Sequence, residues 1–272
     1  MEEPLEIPDP EFQALSMETH AQHLHKAPGN GWKHYFFEFF MLFLAVFCGF
    51  LAENFREHYV EKEKARQYIE SLYDDLKNDT ARIAGNAAFD GRKIEVLGML
   101  NDCYDAILKN TRYNDCLLNI IQQTATNRPF IRTDRTLKEL ANAGGFRLLN
   151  QEDADSIISY EDDWNNFEDF QSTVYQNVQN TVRSSINEVY NFKANTQMFK
   201  PESGKIINGE NLDKTDVTAP LLFSADKNLL NKYFNELQLY FRVTYNHKRM
   251  LLDLKDKQAR LIGYFRKKYG YE

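Results

Sequence analysis

One run of residues restricts this chain more than any other: Tyr35 to Ala52, YFFEFFMLFLAVFCGFLA, eighteen positions with one charge among them. As a helix it rises about 27 Å at ~1.5 Å per residue, close to the roughly 30 Å of a bilayer's hydrocarbon core. Trp32 and Tyr35 stand where an aromatic belt meets the headgroups. A buried core helix would have to hide Phe36, Phe37, Phe39, Phe40, Phe43, Phe47 and Phe50 on every side at once, in a chain whose mean hydropathy is −0.59. No other segment is apolar enough to cover it. A cleaved signal peptide fits poorly, because the run starts late, follows an acidic tail and lacks a small-x-small cleavage site. Phe47 before Cys48 argues against lipoprotein processing in the same way. The reading is a single transmembrane helix over residues 32–53.

The remaining composition narrows the partners. Residues 1–35 carry six acids against Lys26 and Lys33, and the chain from residue 53 onward has 31 basic and 33 acidic residues, interspersed. Nucleic-acid binding needs a basic stripe, and none is present. Three cysteines, Cys48, Cys103 and Cys116, are too few for a disulfide framework or a thiolate zinc site. Cys103 and Cys116 could meet across a helical hairpin in an oxidising compartment, but two separate thiols are the simpler expectation.

Residues 1–31 read as a mobile acidic tail with one short helix capped by Asp9. After the span, Phe55, Tyr59, Tyr68, Ile69, Leu72, Tyr73, Leu76 and Ile83 recur at helical spacing, so the membrane helix continues into water. Glu61 with Lys64, and Glu63 with Arg66, are spaced to pair on its solvated face, and Gly85 and Gly91 are places where it could loosen. Two further helices follow, through Ile94–Leu108 and Leu117–Ile121, parted by a turn at Asn110 to Asn114. A loop with Pro129 comes next. The capping-box spacing of Thr136 and Glu139 opens a short helix that Gly144 and Gly145 close. Asn150 caps a helix from Glu152 to Phe192 with the seam Ile157, Tyr160, Trp164, Phe167, Phe170, Val174, Val178, Val182, Ile186 and Tyr190. Residues 196–221 form a loop. Ser224 caps the last helix, whose seam is Leu230, Phe234, Leu237, Phe241, Met250 or Leu251, Leu254, Leu261 and Phe265. The fold class is all-α: an N-terminal transmembrane helix continuing into an elongated helical bundle with coiled-coil-like seams over residues 54–272.

Chemical motifs are absent. There is no phosphate loop, no HExxH, no GxSxG, no GxGxxG and no Glu-x-x-His pair of a bundle di-iron site, so no cofactor and no catalytic residue are expected. His20, His23 and His25 could hold a divalent metal, although a solvated tail explains them as well. Asp74-Asp75 and Glu161-Asp162-Asp163 read as solvated acids. His247 reads as a satisfied core histidine that, with Thr244, places a polar layer in an apolar stripe and fixes register. Glu38 is different. A carboxylate one turn inside a span costs a few kcal/mol unless it snorkels, pairs, stays protonated or lines a wet path. Lys33 and His34, one turn away, favour snorkelling.

Glu38, the exit Glu53-Asn54, Leu72-Tyr73-Asp74-Asp75-Leu76, and Thr136, Leu140, Gly144, Leu148-Leu149 followed by Ile158 and Tyr160 together resemble a family of uncharacterised bacterial single-span membrane proteins. That resemblance implies an inner-membrane protein with its C-terminal domain outside the cytoplasm, and no activity. The flanking charges, Lys26 and Lys33 against Arg56, Lys62, Lys64 and Arg66, pull mildly the other way. The expected function is a non-enzymatic binding, sensing or scaffold protein at the membrane, touching lipid and a protein partner or a second copy. The alternative is a subunit of an oligomeric complex or ion path that uses Glu38.

Overall fold

A computed structural model describes residues 31–109, 115–142, 144–198, 219–224 and 226–271. Two compact units divide at residues 57 and 58. The described elements are helical apart from loops and one isolated antiparallel bridge, Tyr190 with Leu222. In chain order they are α1 (Gly31–Leu97), α2 (Leu100–Lys109), α3 (Asp115–Ala125), α4 (Arg135–Asn142), a 3-10 turn (Gly145–Leu148), α5 (Gln151–Asp169), a π-helical turn (Phe170–Tyr175), α6 (Gln176–Val189), α7 (Phe192–Met198) and α8 (Lys227–Tyr269). The acidic tail and its histidines lie outside the described residues, as do the turn at Asn110 to Asn114 and residues 199–218 of the expected loop 196–221, whose first three residues instead end α7.

In the first unit the apolar part of α1 has no buried side chain, and this helix is long and apolar enough to cross a membrane. Gly85 and Gly91 do not break α1, which ends at Leu97 where Gly98 and Met99 turn the chain. The Glu61–Lys64 and Glu63–Arg66 pairs do not form among the described residues; Glu61 instead faces His58 at 3.8 Å. An exposed pair of this kind is worth at most about 1 kcal/mol, so its spacing does not compel it to form.

In the second unit α8, 43 residues and about 64 Å of helix, is the axis on which α5, the π turn, α6 and α2 pack. Its start is set by Asp226, not Ser224: the Asp226 carboxylate accepts from the backbone N–H of Asn228 and Leu229, satisfying two donors that the first turn leaves orphaned. Gly270, at φ 73°, ends it. Asn150 caps α5 as expected, accepting from the Asp153 N–H. The capping box at Thr136 does not form. Thr136 lies inside α4, whose first carbonyl acceptor is Asp134. Gly144 takes the left-handed conformation (φ 64°), which a side chain would strain, and a Cβ on Gly145 would meet Leu140 at 2.9 Å, so the pair turns the chain for two different reasons.

The core comes in two parts. One holds Leu97, Leu100, Cys103, Ile107, Leu117, Leu118 and Ile120 with Val182, Leu230, Leu237 and Tyr240. The other holds Ile69, Leu72, Leu76 and Ile83 with Phe130, Ile157, Trp164, Phe167, Leu251, Leu254, Leu261 and Phe265. Cys103 and Cys116 are joined by a disulfide with Cα atoms 5.5 Å apart, which overturns the expectation of separate thiols. Stacking α2 against α3 aims both side chains into one apolar core.

The expected helix from Glu152 to Phe192 is interrupted. At Phe170–Tyr175 the backbone widens, with Gln176 N–H donating to the Gln171 carbonyl five residues back. One extra residue enters the turn, so the inward positions after Phe167 are Tyr175, Gln179, Val182, Ser185 and Val189. The expected seam through Val174 slips outward by one position and leaves Val174 40% exposed. The helix ends at Val189, where Tyr190 turns extended to meet Leu222.

Candidate functional site

The two apolar cores meet at a layer of buried polar residues. On α1 the three-four spacing of Ile69, Leu72 and Leu76 continues inward through Asp79, Ile83, Asn86, Asp90, Lys93 and Leu97, all of them buried. On α8 the same spacing passes from Tyr240 through Thr244 and His247 to Leu251. Thr124 and Thr126 close α3, and the π turn with the start of α6 contributes Gln171, Tyr175 and Gln179. Each element therefore changes from apolar to polar at one level.

At that level Lys93 Nζ donates to the Tyr240 hydroxyl (2.8 Å), the Thr126 carbonyl (3.0 Å) and the Tyr175 hydroxyl (3.1 Å). Three donors meet three neutral acceptors. Burial pushes the Lys93 ammonium down to about 8, against the pull of Asp90 one turn before it. Burial raises Tyr175 and Tyr240 well above the ordinary phenol range.

Asp90 and His247 form the other half. His247 Nδ1 lies 2.6 Å from Asp90 Oδ2, and its Nε2 lies 3.1 Å from Gln171 Oε1. Gln171 cannot turn over, because its Oε1 accepts the Phe130 N–H (2.8 Å) and its Nε2 donates to the Phe130 carbonyl (3.1 Å). Hence His247 Nε2 carries a proton, and a second proton is shared between Nδ1 and Asp90. The imidazole stacks on Tyr175 with centroids 4.3 Å apart, so His247 and Lys93 border the same phenol. The layer is incompletely satisfied: Asn86 Oδ1, Gln179 Oε1 and Thr244 Oγ1 are buried with no hydrogen-bond partner among the described residues.

A second knot closes the end of the bundle where α8 finishes. Asp153, fully buried, accepts from Tyr264 (2.6 Å), Lys268 (2.8 Å), Tyr269 and Asn150. Burial would raise this carboxyl, but the bonds from Lys268, Tyr264 and Tyr269 outweigh it and hold it below the usual aspartate range. Burial works the other way on Lys268, yet its bonds to Asp153, Tyr264 and Glu152 hold it above the usual lysine range. Beside the knot opens a groove of about 790 Å³, with Tyr59, Lys62 and Arg66 on one wall and Leu148, Leu149 and Lys268 on the other.

Of the acids read from sequence as solvated, Asp74 and Asp162 are exposed, while Asp75, Glu161 and Asp163 are engaged in packing. Asp75 accepts from the Thr136 hydroxyl at 2.5 Å, Glu161 is bonded by both terminal nitrogens of Arg132, and Asp163 pairs with Lys257. Glu38 is exposed on α1, with no hydrogen bond or ion pair to Lys33 or His34. No group of three or more metal-ligating side chains occurs among the described residues. His20, His23 and His25 are not among those residues. His247 and Thr244 do sit in a polar layer, but its other members, Asp90, Lys93, Gln171 and Tyr175, escape the sequence reading. The α1 members were within reach, since extending the spacing of Ile69, Leu72 and Leu76 lands on them; Gln171 and Tyr175 depend on the π turn. No protein family model, curated protein or solved structure matches the chain.

Proposed function

We propose that this chain is a membrane-anchored helical bundle that binds or senses at the membrane and carries out no catalysis. The observation that carries the reading is the apolar run of α1: no residue of its membrane-length window is covered by protein. A soluble core helix buries such a face; a bilayer is the environment that covers it on all sides. The buried charges of the second unit support a structural use over a reactive one, because Asp90, Lys93 and His247 are at most 2% exposed and bonded to one another's neighbours. The groove at Tyr59, Lys62 and Leu149 offers a partner mixed charge and apolar floor. The Cys103–Cys116 bridge supports an oxidising compartment for the second unit, in line with the resemblance to bacterial inner-membrane proteins.

A second reading, a subunit of an oligomeric complex or ion path, is favoured by Glu38, a carboxylate without a partner inside the apolar run. Two measurements test the first reading. After an alkaline carbonate wash the chain should stay with the membrane and leave only with detergent; recovery in the wash would remove the anchor. Alkylating free thiols in intact cells before denaturation should then leave Cys103 and Cys116 unlabelled until reductant is added. Two free thiols would place the second unit in a reducing compartment.

A further inference from the structure

The groove beside the Asp153 knot is not consumed by the packing around it. Its volume of about 790 Å³ falls within the ~300–1,000 Å³ of ordinary small-molecule sites. On its α1 wall stand Tyr59, Lys62, Glu63 and Arg66, which the three-four spacing of a helix brings onto one side. Leu148 and Leu149, at the end of the 3-10 turn, supply apolar surface on the other wall.

Charge in the groove divides into groups that are spent and groups that are free. Lys268 is held by Asp153 and Glu152 in the knot, and Glu61 lies against His58. Lys62, Glu63 and Arg66 are exposed and have no ion pair among the described residues. Arg66 also acts on the Tyr271 phenol, a neutral group that leaves its charge unbalanced. Two cations one turn apart with a carboxylate between them suit a ligand that carries a phosphate and an ammonium together. A purely anionic ligand would meet Glu61 and Glu63 as like charges.

The tether of the groove points to the source of such a ligand. Tyr59 follows Ala52 by seven positions, so this wall begins within about 25 Å of the end of the apolar run however the two units are turned. At that reach the headgroups of a bilayer around the run act as a tethered ligand, with an effective concentration on the order of mM. We propose that the groove holds one phospholipid headgroup of the phosphoethanolamine type. Lys62 and Arg66 donate to its phosphate, Glu63 accepts from its primary ammonium, and Tyr59, Leu148 and Leu149 cover the glycerol end. The inference rests on the membrane-anchored reading and names the partner of this groove.

The test is native mass spectrometry of the full chain released from nanodiscs that hold phosphatidylethanolamine, phosphatidylcholine and phosphatidylglycerol in equal parts with the same acyl chains. One phosphatidylethanolamine should stay bound, preferred over the choline lipid by about tenfold, because a quaternary ammonium has no N–H for Glu63. Preference for phosphatidylglycerol, or equal retention of all three, overturns the proposal. Lys62→Ala combined with Arg66→Ala should lower retention by at least about tenfold, and Glu63→Gln should narrow the ethanolamine-over-choline preference. A pattern unchanged in either variant overturns it as well. Displacement of the lipid by an equal concentration of soluble phosphoethanolamine would assign the groove to a free phosphate ester and overturn the lipid source. Quenching of Trp32 by brominated lipid in the same nanodiscs separates two failures: quenching with no retained lipid refutes the groove alone, and no quenching refutes the anchor on which it rests. The wild-type preference among the three lipids decides the matter even where a variant folds poorly.

Discussion

Raising the pH from about 8 to about 10 should make the bundle more stable, and the gain can be worked from Lys93 alone. Its ammonium is held at about 8 in the folded chain against an ordinary 10.5. In that window the unfolded chain keeps the proton and the folded chain does not, so the unfolded state binds more protons and stability rises with pH. The penalty of the buried charge is fully present below about 8 and gone above about 10.5. At ~1.4 kcal/mol per pH unit the gap corresponds to about 3 kcal/mol. The buried phenols set the upper limit. Tyr160, Tyr175, Tyr233 and Tyr240 are raised by burial, so past about 10 the unfolded phenols ionise first and stability falls again. Urea unfolding in detergent micelles, followed by circular dichroism across this range, should show a maximum between about pH 9 and 10, because the four phenols together offset the Lys93 gain before it is complete. Lys93→Met should flatten the rise between 8 and 10. A midpoint that is level or falling there, with the same profile in Lys93→Met, would refute the assignment of a buried, proton-losing lysine.

Three other outcomes follow from the geometry. Reducing Cys103–Cys116, which are 13 residues apart, should destabilise the second unit by about 3 kcal/mol on chain-entropy grounds, read as a lower urea midpoint in reductant. Glu38→Gln should insert and assemble like the native chain, and Glu38→Leu should insert more favourably by about 3 kcal/mol, if the carboxylate only snorkels; altered oligomer size in both on light scattering would favour the ion-path reading. Asp226→Ala removes the two bonds to Asn228 and Leu229 and should cost about 1 kcal/mol, with loss of exchange protection confined to the start of α8.

Much of the fold is legible because helical spacing is a long-range signal. Leu230, Phe234, Leu237, Leu254, Leu261 and Phe265 line α8 as their periodicity requires, and Asn150 caps α5 as its side chain suggests. Local signals mislead where a nearby competitor does the same job. Asp226 outcompetes Ser224 as the cap because its carboxylate reaches two N–H groups. Thr136 leaves its cap position because the buried Asp75 carboxylate needs its hydroxyl. The π turn leaves no trace in the pattern: a seam of Phe170, Val174 and Val178 is as apolar as the real one through Tyr175 and Gln179. The Asp90–His247–Gln171 chain joins residues 76 and 157 positions apart, which no spacing rule connects. The polar face of α1 was hidden for a simpler reason. Asp79, Asn86, Asp90 and Lys93 look solvated in sequence, and only packing against α8 and the π turn shows that they are covered.

The placement of the apolar run in a bilayer can be read from the two tryptophans. Trp32 is 84% exposed at the head of the run, and Trp164 is 4% exposed in the core of the second unit. In nanodiscs whose acyl chains are brominated near the headgroup, Trp32 should be quenched strongly and Trp164 left untouched, with quenching lost in Trp32→Phe. Emission unchanged by bromination in the native chain would mean that the run does not lie in the bilayer, and the membrane-anchored account would fall with it.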